Sequence, residues 1–216
     1  MTIPEGEYNA VISLGSYCIP AQMLKLAGLR KRSHIFDWLV IDHNQLCTVI
    51  NDKFEDFALK QNLRLLPSGD VLDTHSGTIF MHHFRGHKNG APFLDDYEHY
   101  KTTLLRRVQA FKEILDSSAR VLFIRLAHHS HPPDDCGEIE KCVLNAAPNL
   151  NCSFLFINNQ SERYSSSRSQ SFKHPAWRED WWLHSDEIYN IYWRELFSKI
   201  ELTTRAPQDI ADTTTT

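Results

Sequence analysis

Short apolar runs alternate with amphipathic stretches along most of this chain. Runs typical of buried strands occur at 10–14, 78–84, 120–126 and 152–158. Apolar residues at three- and four-residue spacing predict helices that begin near residue 21 and that span about 44–57, 94–117, 137–147 and 185–200. This alternation favours an α/β fold, in which a single domain has a mostly parallel central sheet flanked by helices.

One strand-to-helix turn in this pattern carries a cysteine. The segment Gly15–Pro20 directly follows the first apolar run and opens the first helix, with Cys18 at the turn. Unpaired N–H groups at a helix start carry positive partial charge, which favours thiolate over thiol and predicts a lowered pKa for Cys18. A thiolate at an exposed turn is a nucleophile; the alternative is a buried cysteine that packs the helix. Ser16 and Tyr17 would then contact the substrate, and N–H groups of the turn would bind an oxyanion.

Other polar residues follow predicted strands. In parallel sheets, sites collect at the carboxyl ends of the strands, so we expect one cleft to gather Cys18, His82, Arg125 and Asn158. Arg125 ends an apolar run and therefore needs either an acid partner or an anionic ligand. His82 and His83 should point to opposite faces of a strand, so only one of them can face Cys18.

Three segments carry a family resemblance: 13–18, with Leu-Gly-Ser-Tyr-Cys; 36–39, with Phe-Asp-Trp-Leu; and 80–84, with Phe-Met-His-His-Phe. Together they resemble the putative papain-like cysteine peptidase family, a bacterial family of undetermined function, over residues 9–160. The resemblance implies that Cys18 is the nucleophile, His82 its base and Asp37 an orienting or structural acid. The family pattern has an acid at the position of His83, so the third triad member is open between Asp37, Asp186 and none.

Several candidate residues have structural alternatives. Asp37 lies between two aromatic residues, so we expect it to be partly buried, and a structural salt bridge is the alternative to a catalytic role. Trp38 and His83 are predicted substrate contacts, with core packing as the alternative. His128 is also predicted to contact substrate from the rim of the cleft. His184 with Asp186 forms a further possible base–acid pair.

A histidine-rich loop spans 128–136. Its imidazoles, carboxylates and thiol are residue types that bind zinc or iron. The Pro132-Pro133 pair makes the loop irregular, however, and no second set has helical i, i+4 spacing. No metal is therefore predicted.

Composition restricts the remaining classes. The chain of 216 residues is 42% hydrophobic and has a formal net charge of −4, which does not indicate a nucleic-acid partner. No apolar run is long enough for a membrane span, and the first residues lack signal-peptide features. Five cysteines without a Cys-x-x-Cys pair indicate free thiols and a cytoplasmic protein. The expected domain is 1–202, with a mobile loop at 161–176 and a disordered tail at 203–216.

These patterns predict a cysteine-nucleophile enzyme of acyl chemistry. It would be a thiol hydrolase of peptidase or amidase type that acts without a cofactor on a peptide or saccharide-linked acyl substrate. The alternatives are a coenzyme A-linked acyltransferase that acts on a saccharide or peptide, and a non-catalytic binding module. The oligomeric state is left open.

Overall fold

The computed structural model describes residues 5–127, 135–158, 164–173 and 187–203. Within these ranges the helices are α1 Ile19–Leu26, α2 His43–Asn51, α3 Tyr97–Leu115, α4 Cys136–Ala146 and α5 Glu187–Phe197. The strands are β1 Gly6–Tyr8, β2 Ala10–Ser13, β3 Leu39–Val40, β4 Leu63–Leu65, β5 Val71–Asp73, β6 Ile79–Phe80, β7 Arg120–Leu126, β8 Asn151–Asn158, β9 Ser169–Lys173 and β10 Ile200–Leu202. Two short 3₁₀ turns cover Lys60–Asn62 and Gly86–Asn89.

The central sheet is parallel, with the strand order β2-β7-β8-β9. Ile12 is in register with Phe123, which is in register with Phe154. The predicted α/β fold with a mostly parallel sheet is therefore confirmed. The predicted mobile loop at 161–176 is wrong for 169–173, because these residues pair with β8 as a strand. Residues 161–163 and 174–176 lie outside the described ranges, as does the predicted tail beyond residue 203.

Helices cover both faces of this sheet, which explains why its strands are apolar throughout. Phe123 and Phe154 belong to the core formed with α2, α3 and α4. Leu122 and Leu155 belong to the core on the opposite face, formed with α1 and α5. Burial on both sides thus gives the continuous apolar runs seen in the sequence.

A second, smaller sheet is antiparallel, with the order β3-β6-β5-β4. The predicted strand at 78–84 pairs only at Ile79 and Phe80, and residues 81–84 form a turn. An isolated bridge between Ser16 and Ile41 connects this sheet to the turn that follows β2. The small sheet was not predicted, since its strands are too short for a recognisable period.

The predicted helices are present, although α2 is shorter than expected. It begins at a capping box, in which the Asp42 side chain accepts from the Gln45 backbone N–H at 2.8 Å and the Gln45 side chain accepts from the Asp42 N–H at 2.9 Å. It ends before the predicted boundary because Lys53 and Phe54 have positive φ angles of 51° and 63°. Phe54 nevertheless packs in the core, which is why the apolar period continues past the helix.

None of the described helices combines the length and apolarity that a bilayer crossing requires.

Candidate active site

Cys18 lies at the N-cap position of α1, directly after the turn that leaves β2. Its side chain is half-buried, and Gln22 Nε2 approaches its Sγ at 3.9 Å. Gly15 starts the turn with a φ of 81°, and a Cβ on this residue would lie 2.8 Å from Ile41 Cγ2. Only glycine therefore allows the chain to pass so close to Ile41 before it reaches the cysteine.

The protonation state of Cys18 differs from the sequence prediction. Burial raises the pKa of this thiol to about 11, and the hydrogen bond from its own backbone N–H opposes the shift without reversing it. The prediction of a lowered pKa is wrong because desolvation of the thiolate outweighs the partial charge of a helix with only eight residues. Cys18 is a protonated thiol at neutral pH.

The turns that carry Cys18 and His82 are connected through the short segment Leu39–Ile41. Ser16 bridges to Ile41, and Phe80 pairs with Leu39 across the small sheet. Cys18 and His82 each lie two residues beyond one of these pairings in the chain. His82 is therefore supplied by the antiparallel sheet and not, as predicted, by the parallel one.

The His82 imidazole is neutral at pH 7. Its partial burial lowers its pKa, the charge of Arg85 lowers the pKa further, and Asp70 opposes both. Its ring meets the Trp38 ring edge-to-face, with the centroids 5.4 Å apart. A neutral imidazole accepts a proton, as a general base requires.

Asp70 is a residue of the site that the sequence analysis missed. Burial raises the pKa of Tyr17, and the charges of Cys18 and Asp70 raise it further. Lys88 Nζ lies 3.3 Å from the Asp70 carboxylate. Asp70 thus acts electrostatically on both Tyr17 and His82. Its position in the turn of Pro67-Ser68-Gly69-Asp70 gave no functional signal.

Asp37 is buried, and its side chain stabilises the turn that contains His34. It is 1% exposed, and its Oδ2 accepts from Arg30 Nε and from the His34 backbone N–H, both at 2.8 Å. Burial raises its pKa, while the bonds from His34 and Arg30 oppose that shift. The contacts are those of the structural salt bridge that was the alternative to a triad role.

Arg125 is also completely buried, at 1% exposure. Its Nη1 donates to the Leu14 carbonyl at 2.8 Å and its Nη2 donates to the Ile41 carbonyl at 3.1 Å. These bonds join β2 to the segment that follows β3, beneath the Cys18 turn. The prediction that Arg125 contacts substrate disagrees with this burial, since its head group faces the interior.

His83 lies in an aromatic cluster, with its ring 5.9 Å from that of Phe80 and 5.7 Å from that of Tyr100. Its Nε2 receives a hydrogen bond of 3.0 Å from Arg107 Nη1. Burial lowers the pKa of His83 to about 3, and the Arg107 charge lowers it further. His83 is thus a neutral acceptor that orients Arg107.

The lowered pKa of His83 predicts an acid-dependent loss of stability. The unfolded chain binds a proton near pH 6.5 whereas the folded protein excludes it down to about pH 3, so stability falls as the pH falls through this window. We expect His83→Gln, which keeps an acceptor for Arg107, to remove about 2 kcal/mol of the loss between pH 7 and pH 5. Urea unfolding at pH 7 and at pH 5 measures the free energy of unfolding of each protein and hence this loss. His99→Gln, at an exposed histidine, is the control, and an equal loss in parent and His83→Gln would contradict the assignment.

The remaining predicted residues are placed as follows. Ser16 is buried, and its backbone forms hydrogen bonds with Ile41 and Leu126. Trp38 is half-buried, and the guanidinium carbon of Arg30 lies 5.5 Å from the centre of its ring. His128 and the pair His184 and Asp186 lie outside the described residues, and the side chain of Asn158 is not described. Among described residues no group of three or more His, Cys, Asp or Glu side chains is arranged to hold a metal.

The fold and the site define an α/β protein with a half-buried cysteine at a strand-to-helix turn. This chain belongs to the putative papain-like cysteine peptidase family, which matches residues 9–162. It is also similar to an uncharacterised protein of Acanthamoeba polyphaga mimivirus, with 28% identity over 136 residues, which is 53% of this chain and 60% of the viral protein. This chain thus spans less than two thirds of that relative. A bacterial origin stays a prediction. No solved structure matches this chain significantly.

Proposed function

We propose that this protein is a cysteine hydrolase that forms an acyl-enzyme on Cys18, with His82 as the base. The observation that carries the proposal is the half-exposed Cys18 thiol at the N-cap of α1. His82, whose pKa is lowered, follows the strand β6 that pairs with β3. Membership of a family described as cysteine peptidases supports the same chemistry.

The protonation states support general-base activation in the substrate complex. A preformed thiolate–imidazolium pair lowers a cysteine pKa far below neutrality, whereas that of Cys18 is raised. In the proposed step, Sγ attacks the substrate carbonyl carbon while its proton passes to the His82 imidazole. The imidazolium then protonates the leaving amine or alcohol, and water hydrolyses the acyl-enzyme with His82 again as base.

The start of α1 is suited to the negative charge that develops on the carbonyl oxygen. The first N–H groups of a helix have no intrahelical acceptor, and their dipoles favour an anion. Pro20 removes one of these donors, so the N–H groups of Ile19 and Ala21 are the remaining candidates in the first turn.

We propose a peptide or saccharide-linked acyl group as the substrate, with water as the acceptor. A coenzyme A-linked acyltransferase would use the same acyl-enzyme but release it to an amine or a sugar hydroxyl. Product analysis with and without such acceptors separates the two, because hydrolysis continues in buffer alone. A non-catalytic binding module would form no acyl-enzyme.

The test is intact-mass spectrometry of the full chain after incubation with a panel of acyl thioesters, aryl esters and peptide anilides. We expect one acyl adduct, mapped to Cys18 by proteolysis, that is absent from Cys18→Ser. Cys47→Ser is the matched control, because Cys47 is the other half-exposed thiol among the five free cysteines. An adduct that persists in Cys18→Ser, or no adduct with any donor, would refute the proposal.

The raised pKa of Cys18 gives a separate prediction for alkylation. A group with a pKa of about 11 is a thiol throughout the neutral range, so its iodoacetamide rate should rise about tenfold per pH unit between pH 7 and 10. The rate is measured by mass spectrometry of the Cys18 peptide, with the Cys47 peptide as internal reference. A plateau at or below pH 8 would mean that a thiolate is already present in the free protein.

A further inference from the structure

A groove beside α3 contains residues that the proposed acyl chemistry does not use. It has a volume of about 340 Å³ and is lined by Trp38, His82, His83, Tyr100, Thr103 and Arg107. One wall residue is His82, so a molecule bound in the groove contacts the proposed base.

Arg107 is the cation of this groove, and its orientation is set by the protein. It is half-buried, and its Nη1 donates to His83 Nε2 at 3.0 Å. His83 is almost fully buried and neutral, so it serves as an acceptor and not as a competing charge. In the described part of the chain, the other N–H groups of the guanidinium have no hydrogen-bond acceptor. The remaining N–H donors of the Arg107 guanidinium, whose orientation is fixed, are therefore available to a ligand.

Three charged groups act on Arg107. Arg30 and Arg106 act on it as like charges, and Asp37 is the acid that acts on it. Asp37 is already engaged, because its Oδ2 accepts from Arg30 and from the His34 N–H. The Asp37 carboxylate is thus paired with Arg30 and not with the Arg107 guanidinium.

Aromatic side chains form the walls. Trp38 and Tyr100 are half-buried, and the Trp38 ring packs between Arg30 and His82. Tyr100 contacts the His83 ring that holds Arg107. Aromatic rings beside a fixed cation shield part of its contact with a ligand from water, which strengthens that contact.

We propose that this groove binds an oxyanion, a carboxylate or a phosphate, through paired hydrogen bonds from the Arg107 guanidinium. The identification of this anion as an acidic group of the acyl donor rests on the proposed function. The substrate would then be an acidic acyl compound, with its anionic group seated at Arg107 and its reacting carbonyl on the far side of His82.

Binding can be measured without any chemistry at the thiol. The full chain with Cys18→Ser is titrated with inorganic phosphate and, separately, with succinate, at constant ionic strength set with chloride. Two-dimensional NMR of the tryptophan indole N–H groups follows Trp38, assigned from a Trp38→Phe sample. We expect saturable binding of one or both anions, and the anion with the higher affinity identifies the ligand group as phosphate or carboxylate.

Three arginine variants distinguish a specific anion site from non-specific attraction by positive charge. Arg107→Met should weaken binding by about tenfold or more, since it removes charge-assisted paired bonds. Arg106→Met, at the exposed neighbour, removes the same charge without a hydrogen bond to the anion, so it should weaken binding much less than Arg107→Met does. Arg107→Lys keeps the charge and the fold but loses the fork, so it should also bind more weakly. Absence of saturable binding by either anion, or equal losses in Arg106→Met and Arg107→Met, would overturn the proposal. Failure of the acyl adduct on Cys18 alongside intact anion binding would instead refute only the proposed function.

Discussion

Replacement of His82 by alanine is expected to slow acylation of Cys18 at pH 7 by about 10²- to 10⁴-fold, the usual contribution of a general base. Cys18 is a thiol at this pH, because burial raises its pKa to about 11. Attack therefore requires an acceptor for its proton. Without the imidazole, the reaction depends on the small thiolate fraction present in solution.

The same argument predicts how the defect changes with pH. The rate of His82→Ala should rise about tenfold per unit from pH 7 to 10 as thiolate forms, while the parent rate stays nearly level. The gap between the two proteins should therefore close at high pH. Acylation rates from quenched-flow mass spectrometry give both profiles, and His75→Ala, at a histidine paired with Asp52, is the control.

A His82→Ala protein with the parent rate at pH 7 would exclude His82 as the base. A defect of constant size from pH 7 to 10 would indicate a role in substrate binding. Neither outcome bears on the assignment of Cys18 as the nucleophile, which the adduct experiment tests separately.

Replacement of Arg125 by methionine is expected to lower the free energy of unfolding by about 3 kcal/mol, because each buried acceptor left unsatisfied costs about 1–3 kcal/mol. The guanidinium donates to the carbonyls of Leu14 and Ile41, which belong to different parts of the fold. Methionine replaces much of the volume but neither hydrogen bond. Urea unfolding at pH 7 measures the change.

Two further variants test this explanation. Arg120→Met, at the opposite end of β7, removes an arginine packed on the Tyr8 ring and should cost less than about 1 kcal/mol. Arg125→Lys keeps the charge, but one ammonium group cannot reproduce the fork between two carbonyls, so it should be intermediate. A loss below 1 kcal/mol for Arg125→Met would mean that the two carbonyls find other donors.

The sequence predicts some residues of the candidate site and misses others. Cys18 was found because the change from an apolar strand to an amphipathic helix is a local signal. His82 was selected by the family pattern, although the strand alternation used to separate it from His83 does not hold in the turn 81–84. The two rings do occupy different environments, with His83 buried and His82 exposed. Asp70 and Arg107 carried no local signal for their positions.

Local sequence determined the elements of this protein, since strand and helix periods depend on neighbouring residues alone. The strand order β2-β7-β8 and the close approach of Ile41 to Gly15 depend instead on pairings between distant segments. Tertiary structure alone decided the charges: the raised pKa of Cys18, the buried ion pair of Asp37 with Arg30, and the neutral His83 that orients Arg107. The reason is that solvation and Coulomb energies depend on burial and on distances in space, which the order of residues along the chain does not give.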